Sequence, residues 1–443
     1  MKSVARKSLA GLMLLAALAV TVQLAAQDQL QNKKHSRYSV KDLGTLGGTQ
    51  IGANSINNRG WVTGHSNLLG DQEEHAFLWR EGVMTDLGTL GGFNSNVPLS
   101  VKIDKGLIVG QSQTSEMDPL GENFFGPWTC DQNGDPCQGG DLINLGFLWQ
   151  DGVITALPTL GGNNGVAFGA NNRRQVVGAA ENSTQDPTCI APQVLDYEAV
   201  IWGPKQGQIQ ELPPLPGDSV GGALAINDRG QVVGTSGACV SPSALAHAVL
   251  WQNGSATNLG NLGGALNNIA FAINNQGQIV GQSDLPGDTT FHAFLWQNGA
   301  MVDLGTLPGD FLSAAYGINN KGQAEGQSCD QSGNCRAFLW ENGVMTDLNT
   351  LIPQGSSLYL IEGSDINDRG EIVGNAIDTG TGNERAFLAN PCDEKDGNDE
   401  GCKDFAEGTI AVGGAISERP KITLPENVRN LLQQRRSFGR LLR

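Results

Sequence analysis

Short apolar and polar stretches follow one another along this chain in an order that returns seven times. A repeat of this length marks one supersecondary unit that is used many times, so it decides the architecture ahead of any motif. The copies align on a shared glycine and lie 45 to 68 residues apart, at Gly64, Gly110, Gly178, Gly234, Gly281, Gly326 and Gly374.

Each copy divides into four segments, which we name a, b, c and d. Segment a is rich in small residues and ends in Ile-Asn, and segment b resembles Gln-Val-Val-Gly, as at residues 225–227 and 231–234. Segment c is apolar on both faces, as in Phe294-Leu295-Trp296, which predicts a strand that is covered on both sides. Segment d alternates, as at residues 83–87, which predicts a strand half open to water.

Short turns that contain Asn and Gly connect a to b and c to d, and these residue types tolerate the positive φ of a tight hairpin. The third copy carries Arg174 where the other copies have Gly. Because positive φ costs a residue with a Cβ atom on the order of 1 kcal/mol, we expect this turn to differ from the others.

Four antiparallel strands per copy and seven copies predict an all-β fold, a seven-bladed β-propeller. The seventh copy, residues 364–389, lacks segment d, whereas residues 38–43 form an isolated d segment at the start. We therefore expect the opening strand to complete the last blade, which would close the ring and remove exposed sheet edges. Segment a should line the crowded central channel, and the Trp of segment c should pack between blades.

The ends of the chain differ from the repeats. Residues 1–27 have the basic start, short apolar core and small residues of a secretory signal peptide, and this core is too short to span a bilayer. We expect a flexible start at 28–37, the propeller at 38–390, and a Cys-bridged acidic loop with a basic tail at 391–443, largely flexible. The tail could instead form an amphipathic helix on a membrane surface or on the propeller itself. That helix would present Val428, Leu431, Leu432, Phe438 and Leu442.

Charge and cysteine content limit the cellular compartments and the kinds of partner that we expect. The formal net charge is -17, which argues against nucleic acid as a partner. Eight cysteines in an exported chain predict disulfides. We expect a monomer without a transmembrane span that is secreted, periplasmic or at the cell surface. Three pairs are close in sequence and the fourth would bridge the third and fourth blades; the pairs are Cys130–Cys137, Cys329–Cys335, Cys392–Cys402 and Cys189–Cys239.

The lengths of the connections select one face of the propeller. The large insertions all lie between b and c, the longest at 111–145 and 179–198, and they share a face with the Gly-Thr-Leu-Gly-Gly loops between d and a. Long loops on a rigid scaffold usually carry binding. The face is acidic, and Ca²⁺ could bind there, although solvated turns explain the same acids without a metal. The candidate ligand-face residues are Asp71, Glu74, Asp218, Asp288 and Asp310.

The phrases His-Ala-Phe-Leu-Trp, Asp-Leu-Gly-Thr-Leu-Gly-Gly and Gly-Gln-Val-Val-Gly resemble those of the bacterial extracellular repeat family called HAF. The resemblance covers residues 38 to 390 and implies export and a repeat architecture, but no assigned reaction and hence no catalytic residue. The His of the phrase is present only as His75, His247 and His292, so we expect it to make a structural hydrogen bond. The same position elsewhere holds Leu145, Glu198, Arg336 and Arg385.

Familiar catalytic patterns are absent from the sequence: we find no nucleophile elbow, zinc-protease motif, phosphate loop or sialidase Asp-box. We therefore expect an exported, non-catalytic binding or surface-interaction propeller that holds an unknown protein or glycan on the b–c face. The alternative is a hydrolase or lyase that uses carboxylates, with or without Ca²⁺, at the channel mouth. A third possibility is a structural module of the envelope. Carboxylates converging at the mouth would favour the enzyme, and an apolar plug would favour binding.

Overall fold

The computed structural model describes residues 37–98, 106–122, 137–239, 246–392, 402, 421–426, 428–430 and 432. Within these residues, 28 strands form seven four-stranded antiparallel sheets. In each sheet neighbouring strands follow one another along the chain, with one exception at the point where the ring closes. The predicted seven-bladed β-propeller with four antiparallel strands per blade is confirmed.

Blades 1 to 3 take twelve consecutive strands, numbered in chain order after the opening strand β1 (Tyr38–Asp42). Blade 1 contains β2 (Gly47–Ile56), β3 (Val62–Leu68), β4 (Glu74–Arg80) and β5 (Val83–Asp86). Blade 2 contains β6 (Gly91–Asn96), β7 (Leu107–Met117), β8 (Leu142–Gln150) and β9 (Val153–Ala156). Blade 3 contains β10 (Gly161–Ala170), β11 (Val176–Gln185), β12 (Leu195–Trp202) and β13 (Ile209–Leu212).

Blades 4 to 6 repeat the arrangement with shorter strands. Blade 4 contains β14 (Val220–Ile226), β15 (Val232–Gly237), β16 (Ala246–Gln252) and β17 (Ser255–Asn258). Blade 5 contains β18 (Asn268–Ile273), β19 (Ile279–Asp284), β20 (Phe291–Gln297) and β21 (Ala300–Gly305). Blade 6 contains β22 (Leu312–Ile318), β23 (Ala324–Cys329), β24 (Cys335–Glu341) and β25 (Val344–Asp347).

Blade 7 joins the two ends of the propeller. Its three inner strands are β26 (Leu358–Ile366), β27 (Ile372–Asp378) and β28 (Glu384–Pro391), and its outer strand is β1. The register of the closing pair runs from Tyr38 opposite Pro391 to Asp42 opposite Phe387. The amide of Leu43 adds a hydrogen bond to the carbonyl of Ala386 at 3.0 Å. The opening strand therefore completes the last blade, as the sequence predicts.

Apolar clusters between neighbouring blades hold the ring together. One cluster combines Val177 and Ala199 of blade 3 with Trp251 of blade 4, which is 1% exposed. The indole N–H of Trp251 donates to the carbonyl of Pro213 at 2.7 Å, so its polar group is satisfied. Trp202 is buried in the same way between blades 2 and 3. The predicted inter-blade position of these tryptophans is confirmed.

The a–b turns of six blades form a series of hydrogen bonds around the channel. The side-chain amide of Asn171 donates to the carbonyl of Asn227 at 3.0 Å, and the side-chain amide of Asn227 donates to the carbonyl of Asn274 at the same distance. The series continues through Asn319 to the last blade, where Asn367 donates to the carbonyl of Asn57 in blade 1 at 2.9 Å. The repeated Asn thus links blades 3, 4, 5, 6, 7 and 1 in succession, a role that the turn pattern alone did not indicate.

The turn at Arg174 contradicts the sequence expectation. Arg174 adopts a φ of 65°, in the region that the equivalent glycines occupy, and its amide donates to the carbonyl of Asn171 at 3.0 Å. The equivalent turn at Asn227 has the same bond from Gly230 at 3.0 Å. The turn is therefore retained, because the inter-blade bonds of Asn171 fix it and outweigh the local preference of Arg.

Replacing Arg174 by Gly is expected to stabilise the protein by about 1 kcal/mol, because Gly adopts positive φ without the steric cost that a Cβ atom imposes. Urea denaturation would measure the change. The matched control is Arg174→Ala, which keeps the Cβ atom and removes the guanidinium contact to Gln150. If both variants changed the free energy of unfolding equally, the effect would belong to the side chain and not to the backbone.

Disulfides link three of the predicted cysteine pairs. Cys329–Cys335 and Cys392–Cys402 are local, and Cys189–Cys239 joins blades 3 and 4. Cys137 is also disulfide-bonded, and its expected partner Cys130 lies outside the described residues. The predicted signal peptide also lies outside them. Across the described parts of the chain, we find no helix that is long and apolar enough to cross a membrane.

Candidate functional site

Large apolar side chains line the central channel on the side of blades 3 to 6. The innermost strands of these four blades contribute Phe168, Leu224, Phe271 and Tyr316 to one cluster, and the rings of Phe271 and Tyr316 lie 5.2 Å apart. Segment a was expected to fit the channel through small residues, and this is wrong for these four positions. Because the cluster is apolar, these four positions do not bring carboxylates together in this part of the channel.

A small cavity of about 60 Å³ lies at the mouth formed by the a–b turns. Its wall is apolar and includes Ile226, Ile273 and Ile318, while its rim carries the Asn and Asp residues of the turns. This volume suits a few water molecules and is far below the roughly 300 Å³ of a small-molecule site. The rim side chains also bond to one another, as in the contact from the Asn320 amide nitrogen to Asp368 at 2.9 Å. We therefore assign this mouth a structural role.

The opposite face carries the b–c and d–a loops, and a serine of segment b anchors the d–a loops. Ser66 accepts a hydrogen bond from the amide of Leu46 at 3.0 Å, and Ser236 accepts one from Leu215 at 3.0 Å. Blades 2, 5 and 6 have the same bond through Ser112, Ser283 and Ser328. Blade 3 has Ala180 at this position, and there the amide of Leu160 donates to the carbonyl of Glu181.

The long b–c insertions of blades 2 and 3 begin as extensions of the sheet. Strand β7 has 11 residues and pairs as far as Met117 opposite Leu142, and β11 has 10 residues and pairs as far as Gln185 opposite Leu195. The insertions therefore project as hydrogen-bonded arms, which are stiffer than free loops.

Hydrogen bonds brace the b–c loops of blades 1, 2 and 3 against one another. The amide of Gln138 in the second loop donates to the carbonyl of Gln72 in the first loop at 3.2 Å. On the other side, an oxygen of Glu122 accepts the amides of Val194 and Leu195 in the third loop at 2.8 and 2.7 Å. The described parts of the three loops are thus bonded to one another, and we call the surface that they form the braced face.

Buried acids lie beneath the braced face. Asp118, Glu122 and Glu181 alternate with amide side chains: Asn164 bonds Asp118 at 2.6 Å and Glu181 at 3.2 Å, and Gln193 bonds Glu181 at 2.9 Å and Glu122 at 3.2 Å. Burial raises the pKa of Glu181 to about 7, against the hydrogen bond from Gln193, and the charge of Glu122 adds to the rise. Burial also raises the pKa of Glu122. This network ties the arm of blade 2 to blade 3.

Aliphatic side chains are exposed on the braced face. Leu69 in the first loop is 87% exposed, Met117 in the second is 64% exposed and Ile190 in the third is 50% exposed. Single exposed apolar residues are common, but large aliphatic side chains on three loops that are fixed to one another are typical of an interaction surface.

Three of the five acidic candidates accept hydrogen bonds from nearby amide groups. Asp71 accepts from the amide of Thr49 at 2.7 Å, and Glu74 accepts from Asn96 at 3.2 Å. Asp288 accepts from the amides of Ala265 and Leu266 at 2.6 and 3.1 Å.

The other two candidates contact basic side chains. Asp218 lies 3.0 Å from the imidazole Nδ1 of His247, and Asp310 forms ion pairs with Arg336 at 2.8 Å and Lys421 at 2.6 Å. In the hydrogen bonds and ion pairs of the described residues, none of the five contacts another.

One group of metal-ligating residue types is close together among the described residues, namely Asp186, Cys189 and Cys239. The two sulfur atoms form a disulfide, so they offer no thiolate ligands. This group therefore does not make a metal site.

Part of the tail covers the b–c side of blades 6 and 7. Leu424, Val428 and Leu432 are buried in a cluster with Tyr359 and with the disulfide Cys329–Cys335. Lys421 bonds Asp310 at 2.6 Å and Asp330 at 3.0 Å. For these residues the expectation of a flexible tail is corrected, and docking on the propeller is the alternative that holds. The rest of the tail lies outside the described residues.

Comparisons with known proteins show no family for this chain. No protein-family model and no curated protein matches the chain. Among solved structures, the chain is similar to an acylaminoacyl peptidase from Pyrococcus horikoshii, with 11% identity, a TM-score of 0.39, and 73% of this chain and 50% of that one covered. It is also similar to a gluconolactonase from Xanthomonas campestris, with 10% identity, a TM-score of 0.34, and 80% and 95% covered.

A third similar structure is a sialidase from Trypanosoma rangeli, with 10% identity, a TM-score of 0.36, and coverage of 76% of this chain and 60% of that one. The chain spans about half the length of the peptidase structures that it matches. At such low identity and TM-score, the activities of these proteins do not transfer to this chain.

Proposed function

We propose that the protein is an exported, non-catalytic binding propeller of the HAF-repeat type and that it holds another protein or a peptide on the braced face. The observation that carries this proposal is the bracing itself, which fixes three exposed aliphatic side chains on one surface. The apolar cluster that lines the channel in blades 3 to 6 supports binding over the hydrolase or lyase alternative, which requires converging carboxylates. The disulfides support export, because such bonds persist in oxidising compartments.

The docked part of the tail supports the location of the site. It covers blades 6 and 7 on the b–c side, whereas the braced face extends over blades 1, 2 and 3. An aliphatic surface in a chain of net charge -17 favours apolar peptide segments with basic flanks over glycans, which commonly stack on aromatic rings.

Truncating the exposed aliphatic side chains is expected to remove peptide binding. A random peptide library displayed on phage would supply the probe, and the selected peptide would be titrated against each variant. The triple variant Leu69→Ser, Met117→Ser, Ile190→Ser should bind at least about tenfold more weakly, since each buried aliphatic group contributes roughly 1 kcal/mol or more.

The matched control truncates Val83, Val153 and Val302, which are 63%, 62% and 55% exposed on the outermost strands. This control should bind as the unchanged protein does. Equal binding by both triple variants would contradict the proposed face. Turnover on a panel of polysaccharides would contradict the non-catalytic function and promote the hydrolase or lyase alternative.

A further inference from the structure

Basic side chains occupy the third position of the a–b turns. Most of these turns read Asn-Asn/Asp-x-Gly, and x is Lys or Arg in six of the seven copies, although acids outnumber basic residues in the chain by 45 to 28. The second copy has Lys105, which lies outside the described residues, and the fifth has Gln276. The remaining five are exposed, and we call them the turn cations: Arg59, Arg173, Arg229, Lys321 and Arg369.

Hydrogen bonds between neighbouring turns hold the turn cations in place. The backbone amide of Asn172, one residue before Arg173, donates to Asp228 at 2.8 Å, and the amide of Asp228 donates to Asn275 at 2.8 Å. The same bond recurs from blade 5 to 6, from 6 to 7 and from 7 to 1, at 2.8, 2.8 and 2.9 Å. Each turn cation therefore follows a residue that is bonded to a neighbouring blade, so the cations are arranged around one mouth of the channel.

Most of the turn cations have no acidic partner. Arg369 pairs with Glu371 at 2.6 Å, whereas the other four form no ion pair within the described part of the chain. Basic residues on other parts of the propeller behave differently, since carboxylates pair with Arg336, Arg385 and Lys421. The four unpaired cations are therefore available to an external anion.

Acids also occur on this face, but those of the a–b turns are already bonded. Asp228 and Asp368 accept hydrogen bonds from neighbouring blades, and Glu371 pairs with Arg369. The described a–b turns hold six basic residues, counting Arg174, against these three acids. The described turns keep a positive excess in a chain of formal net charge -17, even though the c–d turns on the same face add two basic residues and three acids, namely Arg80, Lys205, Glu81, Asp151 and Glu341.

The acids of the opposite face do not cancel this charge at physiological salt. The b strands connect the two faces and have six residues or more, which corresponds to roughly 20 Å. The Debye length in about 0.15 M salt is only about 8 Å. An anionic surface that approaches the a–b turns therefore interacts mainly with the charges of these turns.

We propose that the turn cations bind the anionic surface of a phospholipid membrane. They belong to five different blades, so a flat surface contacts all of them at once, whereas a linear polyanion would cross only part of the mouth. The cavity at this mouth, about 60 Å³, is too small for a soluble ligand of the usual size. The braced face would point away from the membrane, so this proposal does not depend on the proposed function.

Sedimentation with lipid vesicles tests the membrane contact. In about 0.1 M salt, the chain from residue 28 onward should bind vesicles that contain about one third phosphatidylglycerol and should not bind vesicles of phosphatidylcholine alone. Each basic residue close to an anionic membrane strengthens binding about fivefold, so removing four should weaken it at least about tenfold. Gln is the residue of the fifth copy, whose turn keeps the bond from Gly277 to Asn274 at 3.1 Å, so the variant should fold. The variant is Arg59→Gln, Arg173→Gln, Arg229→Gln, Lys321→Gln.

A control with the same change of net charge separates the turn cations from the charge of the whole protein. It adds four acids at exposed, equivalent positions of the outermost strands, as Thr85→Glu, Thr155→Glu, Thr257→Glu, Val302→Glu. This control should bind within about twofold of the unchanged protein.

Four results would overturn the proposal. They are equal weakening in the two variants, unchanged binding by the variant that lacks the turn cations, equal binding of the unchanged protein to neutral vesicles, and binding to soluble dextran sulfate without binding to the anionic vesicles.

Discussion

A chain that lacks residues 1–43 is expected to leave the propeller open and to aggregate, whereas a chain that lacks residues 1–36 should form the closed ring. The first deletion removes β1 and exposes the backbone edge of β28, which offers unpaired N–H and C=O groups to other chains. The second keeps the whole closing strand. Size-exclusion chromatography and urea denaturation of the two chains would compare them directly.

A point substitution isolates the packing part of this effect. Tyr38 is 1% exposed in a cluster with Leu351 and Phe387, and its amide donates to the carbonyl of Leu351 at 2.9 Å. Tyr38→Ala should cost about 3 to 5 kcal/mol, as for other buried aromatic residues. Lys41→Ala, on the exposed part of the same strand, should cost under about 1 kcal/mol. Equal losses of folding free energy in the two variants would contradict a specific role of the Tyr38 side chain in closing the ring.

The second large effect is a dependence of stability on pH through Glu181. Its ordinary pKa of 4.5 rises to about 7 in the folded protein, because it is buried and faces Glu122. The folded state therefore holds a proton that the unfolded chain releases. This contribution to stability is complete below about pH 4.5 and is lost as the pH rises through 7. The shift corresponds to about 3 kcal/mol.

Glu181→Gln should flatten the pH dependence by roughly that amount between pH 5 and 8.5, measured as the free energy of unfolding in urea. A constant offset is also expected, since the new amide must share Gln193 as a partner. The readout is the change of slope and not the offset. The control Glu116→Gln, at an exposed acid, should leave the slope unchanged. If Glu181→Gln changed the free energy of unfolding by the same amount at pH 5 and at pH 8.5, Glu181 would not be the source of the pH dependence.

Much of the fold could be predicted from the sequence, because the residue pattern within each repeat is enough to predict the strands of one blade. The alternation of segment d, the apolar segment c and the isolated segment at 38–43 specify the blade and its closure without reference to neighbours. Sequence spacing also predicts the disulfide across blades 3 and 4. The register of β1 and the bridge between Cys189 and Cys239 agree with these predictions.

Features that depend on the neighbouring blade could not be predicted. The repeated Asn predicts a tight turn whether or not its side chain also bonds the next blade. At Arg174, the inter-blade bond of Asn171 holds the turn at a positive φ that Arg disfavours. The acids Asp218 and Asp310 look available in sequence but contact the side chains of His247 and Arg336. The exchange of His for Glu198 is visible in the sequence, but only the register shows that Glu211 lies opposite Val200 on the neighbouring strand.

The pairing of Tyr38 with Pro391 also bears on the order of folding. Blades 1 to 6 each contain all four strands from one continuous stretch of chain, so each can assemble as soon as that stretch has emerged. The seventh sheet must wait for the last strand to meet the first one. Such a distant contact is slow to form, so a chain that is still being synthesised would remain an open arc until its last strand has emerged.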